Sequence, residues 1–312
     1  MKSYQEMVSD LSNILENGEL EYKDSIIIGD NSSGKSDVLK KILENDKKDQ
    51  FYFIDAVNRY FNIEQIMPIK EEKIIYSNDI KKYRLDVDKF NFDDSFYYCG
   101  TPRSIEDFYL NFQGEIEALM SEFLDVSFSI QQGDLGRKVY VSGREVDLSS
   151  GYQALLRIFI EVIYYWHTKN YGVIVIDEID EFLSVVNSGR IYTFLRQKFP
   201  DLNFIVTTHS ADLIANAEKT NLILLKNQTF EILDAGDFTS ISQVYDIFKS
   251  LYEKKEGSEK EQNDNILRRL FNNKIAGIWS SEEQDILDDL KLRALTRAQK
   301  IIINQIEEWK CW

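Results

Sequence analysis

The segment Gly29-Asp30-Asn31-Ser32-Ser33-Gly34-Lys35-Ser36 spaces two glycines, a lysine and a hydroxyl as GxxxxGK[ST]. A loop of this kind turns successive backbone N–H groups toward one point. A helix that starts inside it adds the positive end of its dipole, so loop and helix together can surround phosphate oxygens. In that reading Lys35 neutralises charge on the outer phosphates, Ser36 ligates a magnesium ion, and Asp37 closes the binding segment. The flanking sequence agrees: "SIIIG" reads as a buried strand and "KSDVLKKIL" as a helix.

A carboxylate pair downstream suits the same chemistry. In "VIVIDEID" a β-branched run delivers Asp177 and Glu178 to the C-terminal end of a strand, where open α/β sheets bind ligands. Asp177 is placed to hold a metal's water shell, and Glu178 to orient or deprotonate an attacking water. The strand "NFIVTTHS" ends at His209, whose neutral imidazole could bond a γ-phosphate. The other histidine, His167, lies inside "YYWHT" and reads as structural.

A third polar turn, Leu148-Ser149-Ser150-Gly151-Tyr152, precedes a long apolar stretch. Ala154, Leu155, Ile158, Phe159, Val162 and Ile163 have helical spacing and are expected in the core. Small residues and free N–H groups at the start of that helix would make another anion site.

The elements that must position these residues alternate between strand and helix. An amphipathic helix, with Tyr4, Met7, Val8, Leu11, Ile14 and Leu15 on one side, is expected to stop at Gly18. "FYFIDA" is a buried strand, residues 104–124 a helix, and "VSFSI" with "KVYVSG" a hairpin. "NLILLKN" and "TFEILD" form a closing hairpin. The order implies an α/β fold with a mostly parallel sheet covered on both faces. Residues 64–103 are polar and irregular and read as a surface insertion. Beyond Ser240 the pattern is helical, interrupted by a charged linker over 253–264. The expected division is a main domain over 1–240, with a phosphate-binding core over 24–62 and 148–235 and an insertion over 63–147. A helical extension covers 241–312.

Composition narrows the partners. The 312 residues carry a formal net charge of -16, with 43% hydrophobic residues to build a core. Duplex DNA binding draws its affinity from Lys and Arg, so nucleic acid is disfavoured. It would need Lys81, Lys82, Arg84, Arg137 and Lys138 on one face; they read instead as scattered solvated charges. Cys99 and Cys311 lie too far apart in sequence for a metal motif, no run is apolar enough to span a membrane, and the start has no signal-peptide layout. A cytoplasmic location is expected.

Taken in order, GDNSSGKS, LSSGY, VIVIDEID and TTHS resemble the ABC-class ATPases, in the style of the soluble SMC, RecF and OLD-type proteins. The resemblance spans about residues 24–235. It implies an ABC-type head that binds ATP with Mg2+ through Gly29–Asp37 and hydrolyses it with Glu178, Lys35 and His209. It also implies that Ser149, Ser150, Gly151 and Tyr152 contact the γ-phosphate held by a second subunit, with Asp180 coupling the two sites, so that ATP joins a dimer. The stretch from Ser36 to Leu148 is too short for a long coiled coil, so a short helical insertion stands in its place. Ser150 replaces a usual glycine and Tyr152 a usual Gln or Glu. The family's Q-loop glutamine is matched by either Gln65 or Gln113, and a helix stands where the family has its N-terminal strands. A weaker likeness to ATPases of anti-phage systems implies a separate effector protein as partner. The alternatives are a nucleotide-gated scaffold with little turnover and a RecF-like repair ATPase.

Overall fold

Strands buried on both faces need continuous apolar runs, and the short β-branched segments of this chain supply them. The computed structural model describes residues 3–57, 59–92, 96–134, 136–238, 240–252, 263, 266–267, 269–271, 273–274, 279–293 and 295–308. In chain order the strands are β1 (Ser25–Gly29), β2 (Phe51–Ile54), β3 (Tyr97–Tyr98), β4 (Thr101–Pro102), β5 (Phe128–Gly133), β6 (Gly136–Val141), β7 (Arg144–Val146), β8 (Gly172–Ile176), β9 (Leu202–Thr207), β10 (Asn221–Lys226) and β11 (Thr229–Asp234). Six of them form the central sheet in the order β11-β10-β1-β9-β8-β2. All neighbours are parallel except the β10–β11 hairpin at one edge. The expected α/β class and mostly parallel sheet are observed.

The helices of this part are α1 (Tyr4–Asn17), α2 (Lys35–Asn45), α3 (Asp79–Arg84), α4 (Tyr109–Leu124), α5 (Ser150–Lys169), α6 (Val185–Lys198), α7 (Ala211–Ala215) and α8 (Ile241–Tyr252). Side chains alternate across each strand, which splits the core in two. Ile27, Phe53, Val175, Ile205 and Ile223 face α1 and α2, with Met7, Leu11, Val38, Leu39 and Ile42. Ile26, Ile28, Ile174, Ile176 and Val206 face the other side, with Phe159, Ile163, Tyr192 and Leu213. Each such side chain contributes about 1.5–3 kcal/mol by leaving water, so the sheet edge that carries the polar motifs rests on a rigid base. α1 ends at Gly18 in the left-handed conformation, as its sequence indicates.

Two expectations change. The stretch 64–103 is not a surface insertion: it packs Ile80, Phe96 and Tyr98 into the main core and buries Arg84 completely. A guanidinium can lie there because Glu161 of α5 receives it at 2.8 Å. The boundary expected after residue 240 falls later. Contacts divide the chain into residues 1–251 and 252–312, because Val244 and Phe248 of α8 belong to the main core.

In the second unit, α9 (Ser281–Lys291) and α10 (Arg297–Glu308) gather Leu287, Leu290, Ile303 and Ile306 with Leu267 and Leu270 into a separate apolar cluster. Lys291 pairs with Asp288 and Glu307. The linker expected over 253–264 lies outside the described residues apart from Asn263. Among the described residues no helix is long and apolar enough to cross a membrane.

Candidate functional site

β1 runs into the loop at Gly29 and α2 leaves it at Lys35, with Gly34 at φ +106 as its cap. Both glycines are required by geometry. A Cβ on Gly29 would lie 2.4 Å from Ser33 Oγ and 2.9 Å from the Leu225 carbonyl. One on Gly34 would meet Tyr4 Oη at 2.9 Å in a conformation that other residues rarely adopt. Tyr4 also donates its hydroxyl to Asp37, so α1 is tied onto the loop through the last residue of the binding segment. Loss of water around the ring and the Asp37 carboxylate push the Tyr4 phenol up to about 12. G29A is expected to lower the melting temperature and abolish nucleotide binding, because overpacking against sheet backbone costs about 1–3 kcal/mol. Calorimetry with an ATP titration checks both; unchanged binding would contradict this account of the loop.

Lys35 is buried, and its ammonium donates to the carbonyls of Gly29 at 2.9 Å and Asp30 at 3.3 Å. Burial lowers its pKa, while Asp177, Glu178, Asp30 and Asp180 act in the opposite direction. A lysine held back by its own loop and faced by four carboxylates is the cation at the centre of this edge.

Asp177 organises the acidic side. It is 1% exposed, and three side chains donate to it. Ser36 Oγ reaches Oδ2 at 2.8 Å, Asn91 Nδ2 reaches the same oxygen at 2.8 Å, and Thr207 Oγ1 reaches Oδ1 at 2.6 Å. The sheet order explains the last bond: β9 lies between β1 and β8, so its tip touches whatever the other two strands carry. Thr207 Oγ1 in turn accepts from the Glu178 N–H at 2.7 Å, and the Thr207 carbonyl accepts from Ile179 at 3.1 Å. Glu178 itself turns left-handed at φ +51. Burial raises its carboxylate pKa, with Asp177 and Glu181 adding to the effect.

Glu178 and His209 both follow their strands at this edge. His209 is exposed at the surface, yet partial loss of water and the Lys35 ammonium hold its imidazole below the ordinary value. Asp180 acts on Lys35, Glu178 and His209 alike, and its Oδ1 is buried without a hydrogen-bond partner, as is Ser33 Oγ in the loop. His167, read as structural, stacks on Phe112 and bonds Glu115.

The turn Leu148–Tyr152 is held at the start of its own helix, where Gln153 Nε2 donates to the Leu148 carbonyl at 3.0 Å. Ser149 caps α5 by accepting from the Tyr152 N–H at 3.3 Å, and Ser149 and Ser150 are exposed. The Tyr152 ring meets Phe128 edge-on, which ties it to its own core. Gly151 lies against the loop after Asp180, where a Cβ would come within 3.3 Å of the Phe182 carbonyl. Phe182, Val185 and Val186 beside it are exposed apolar residues.

Neither glutamine candidate reaches the cluster. Gln65 is exposed, and Gln113 bonds Glu117 and the Ile130 carbonyl, which fastens the β5 hairpin to α4. Asn91 stands at Asp177 instead, left-handed at φ +56. Arg59 is a second residue that sequence reasoning missed: it donates to the Asp177 carbonyl at 2.8 Å. Thr207 is a third, and its signal was its place in the "TTHS" tip. The basic residues do not form a face. Lys81 and Arg84 are buried in ion pairs with Asp46 and Glu161, and Lys138 pairs with Glu145 at 2.8 Å.

No family profile matches the chain, and no curated protein matches it. Among solved structures it is similar to an SMC ATPase described for ATP-driven dimerization and DNA-stimulated activation. That match has 17% identity and TM-score 0.35, over 49% of this chain and all of the other. The SMC head domain from Thermotoga maritima matches at 16% identity and TM-score 0.38, over 68% of this chain and 91% of that one. An inward-facing ABC transporter of metal-chelate type matches at 17% identity and TM-score 0.38, over 75% and 79%. With TM-scores this low, the functional reading stands on the sheet edge and its residues.

Proposed function

We propose that this chain is an ABC-class ATPase switch that binds ATP with Mg2+, dimerises around it and hydrolyses it to control a partner protein. The observation that carries the reading is the bonded set Ser36–Asp177–Thr207–Glu178 beside Lys35, at one edge of the sheet. The residues suit the cofactor. Mg2+ prefers few protein oxygens and takes the rest of its shell from water and phosphate, and Ser36 with Asp177 offers that donor set. Bound there, the ion would supply charge neutralisation between the outer phosphates. The buried hydroxyl of Ser33, which costs about 1–3 kcal/mol when unpaired, would gain a partner in a phosphate oxygen.

In this reading the loop N–H groups and Lys35 bind the phosphates. Glu178 takes a proton from water as its oxygen attacks the γ-phosphorus, the bond from that phosphorus to the bridging oxygen breaks so that ADP leaves, and a neutral His209 bonds the γ-phosphate. The Ser149–Tyr152 turn, with Ser149 and Ser150 exposed, serves the site of a second copy, and Asp180 couples the two sites. K35A is expected to lose ATP affinity by at least about tenfold, since it removes a charge-assisted contact of about 1.5–3 kcal/mol; equilibrium titration with a fluorescent ATP analogue measures it. Turnover of the intact protein no greater than that of K35A would favour the second reading, a nucleotide-gated scaffold. The anchoring of Tyr152 on Phe128 supports that alternative, because it restricts what this turn can offer a phosphate. The controlled partner is an effector carried on another chain, in keeping with a role in anti-phage defence. Copurification in ATP and Mg2+ followed by mass measurement of the complex tests for it.

A further inference from the structure

β8 ends at Ile176, so the carbonyls of Asp177 and Glu178 lie beyond its ladder and need partners from outside the sheet. One side chain serves both. Arg59, 2% exposed, donates through one amino nitrogen to the Asp177 carbonyl at 2.8 Å and the Glu178 carbonyl at 3.4 Å. Its other amino nitrogen donates to the Asp55 carbonyl at 2.6 Å. The guanidinium therefore clamps the turn that carries Glu178 to the end of the neighbouring strand β2.

A buried guanidinium needs counter-charge, and Arg59 has it in a closed cluster. Asp55 and Glu161 are the first two carboxylates acting on it. Glu161 receives Arg84 at 2.8 and 2.9 Å, Arg157 at 2.7 Å and the Tyr52 hydroxyl at 2.7 Å. Arg84 lies 3.8 Å from Asp55, and Arg157 lies 3.9 Å from Glu106. Three arginines thus lie among Asp55, Glu106 and Glu161, all at most 2% exposed, with the buried Asp177 a further carboxylate acting on Arg59. Arg157 and Glu161 belong to α5, whose first residues form the Ser149–Tyr152 turn. Apolar residues of similar volume would hold this volume at least as stably. What charges and forked donors add is direction.

We infer that Arg59 is a positioning residue for Glu178, fixing the turn in which Glu178 is left-handed against a buried ion cluster rooted in α5. The inference rests on Glu178 being the base that activates water. Arg59 touches no reacting atom; it acts through the backbone that aims the carboxylate.

The test is a double-mutant cycle on the full chain. R59K keeps the charge and loses the fork, while R59M with D55N removes one charge of each sign and leaves the net charge of the cluster unchanged. Each is combined with E178Q, and three quantities are read: turnover, affinity for a fluorescent ATP analogue, and melting temperature. The expected result is a fall in turnover on the order of tenfold to a hundredfold with affinity within about threefold, smaller for R59K. In the E178Q background the same substitutions should change turnover by less than about twofold, because the group they position is gone. Equal losses in both backgrounds would overturn the inference, as would lost stability with turnover per folded molecule unchanged. If R59M with D55N does not fold, R59K carries the cycle alone. Wild-type turnover no greater than that of K35A would instead overturn the ATPase reading, and this inference with it.

Discussion

E178Q should slow ATP turnover by about 10²–10⁴-fold, the range for losing a general base, while leaving ATP affinity nearly intact. The reason is local. Glutamine matches the side chain in size, and the bonds that hold the turn run through the main chain: Glu178 N–H to Thr207 and the Glu178 carbonyl to Arg59. Ser36, Asn91 and Thr207 keep Asp177 as their acceptor. Binding is preserved and the chemical step is not, so the ATP-bound assembly should accumulate and elute earlier in size exclusion with ATP and Mg2+. The exposed Phe182, Val185 and Val186, alongside the Gly151 turn, are then the apolar surface such an assembly would cover. Adding V185D to E178Q should restore the monomer position. An unshifted elution with unchanged turnover would sink the proposed mechanism. D177N is the contrasting variant, since it removes the acceptor shared by three donors and should weaken ATP binding as well.

Much of this edge was legible because its motifs are local in sequence. Gly29 to Ser36 are consecutive, and the run before Asp177 must be a buried strand, so both positions followed from pattern alone. The sheet order did not. That β9 lies between β1 and β8 is a long-range fact, and it is what turns Thr207 from one polar residue in "TTHS" into the partner of both Asp177 and Glu178. Asn91 and Arg59 were missed for the same reason. Each lies in an irregular stretch, and what directs it is contact with Asp177, far away in sequence. The stretch 64–103 read as surface because it is polar and irregular. Composition cannot show that Lys81 and Arg84 are cancelled by buried carboxylates. In α5 the apolar positions were recognised and Arg157 and Glu161 were not, though their i, i+4 spacing inside an apolar helix was the available signal.

Glu161 is the residue whose loss should cost the fold most. It is fully buried and holds Arg84, Arg157 and Tyr52 at once. Burial alone would raise its pKa; Arg84 and Arg157 more than offset that and hold it down to about 2. In E161Q the amide offers an N–H where an acceptor is needed, leaving part of two guanidinium charges uncompensated. A loss of about 3–5 kcal/mol is expected, the scale for breaking a buried pair from one side, and denaturant melts at neutral pH measure it. The pH dependence separates this charge effect from simple packing. A carboxyl whose folded pKa lies below its ordinary 4.5 stabilises fully above that value, and its contribution declines as pH falls toward about 2. The gap between wild type and E161Q should therefore be constant above about pH 5.5 and narrow as the pH drops below 4.5. A gap that stays constant through that range would assign the loss to packing. Replacing both partners, as in R84M with E161L, should cost less than E161Q alone, because no buried charge then lacks its counterpart. If that double variant unfolds more readily than E161Q, the cluster holds the fold through its ion pairs, and its role in directing Arg59 becomes secondary.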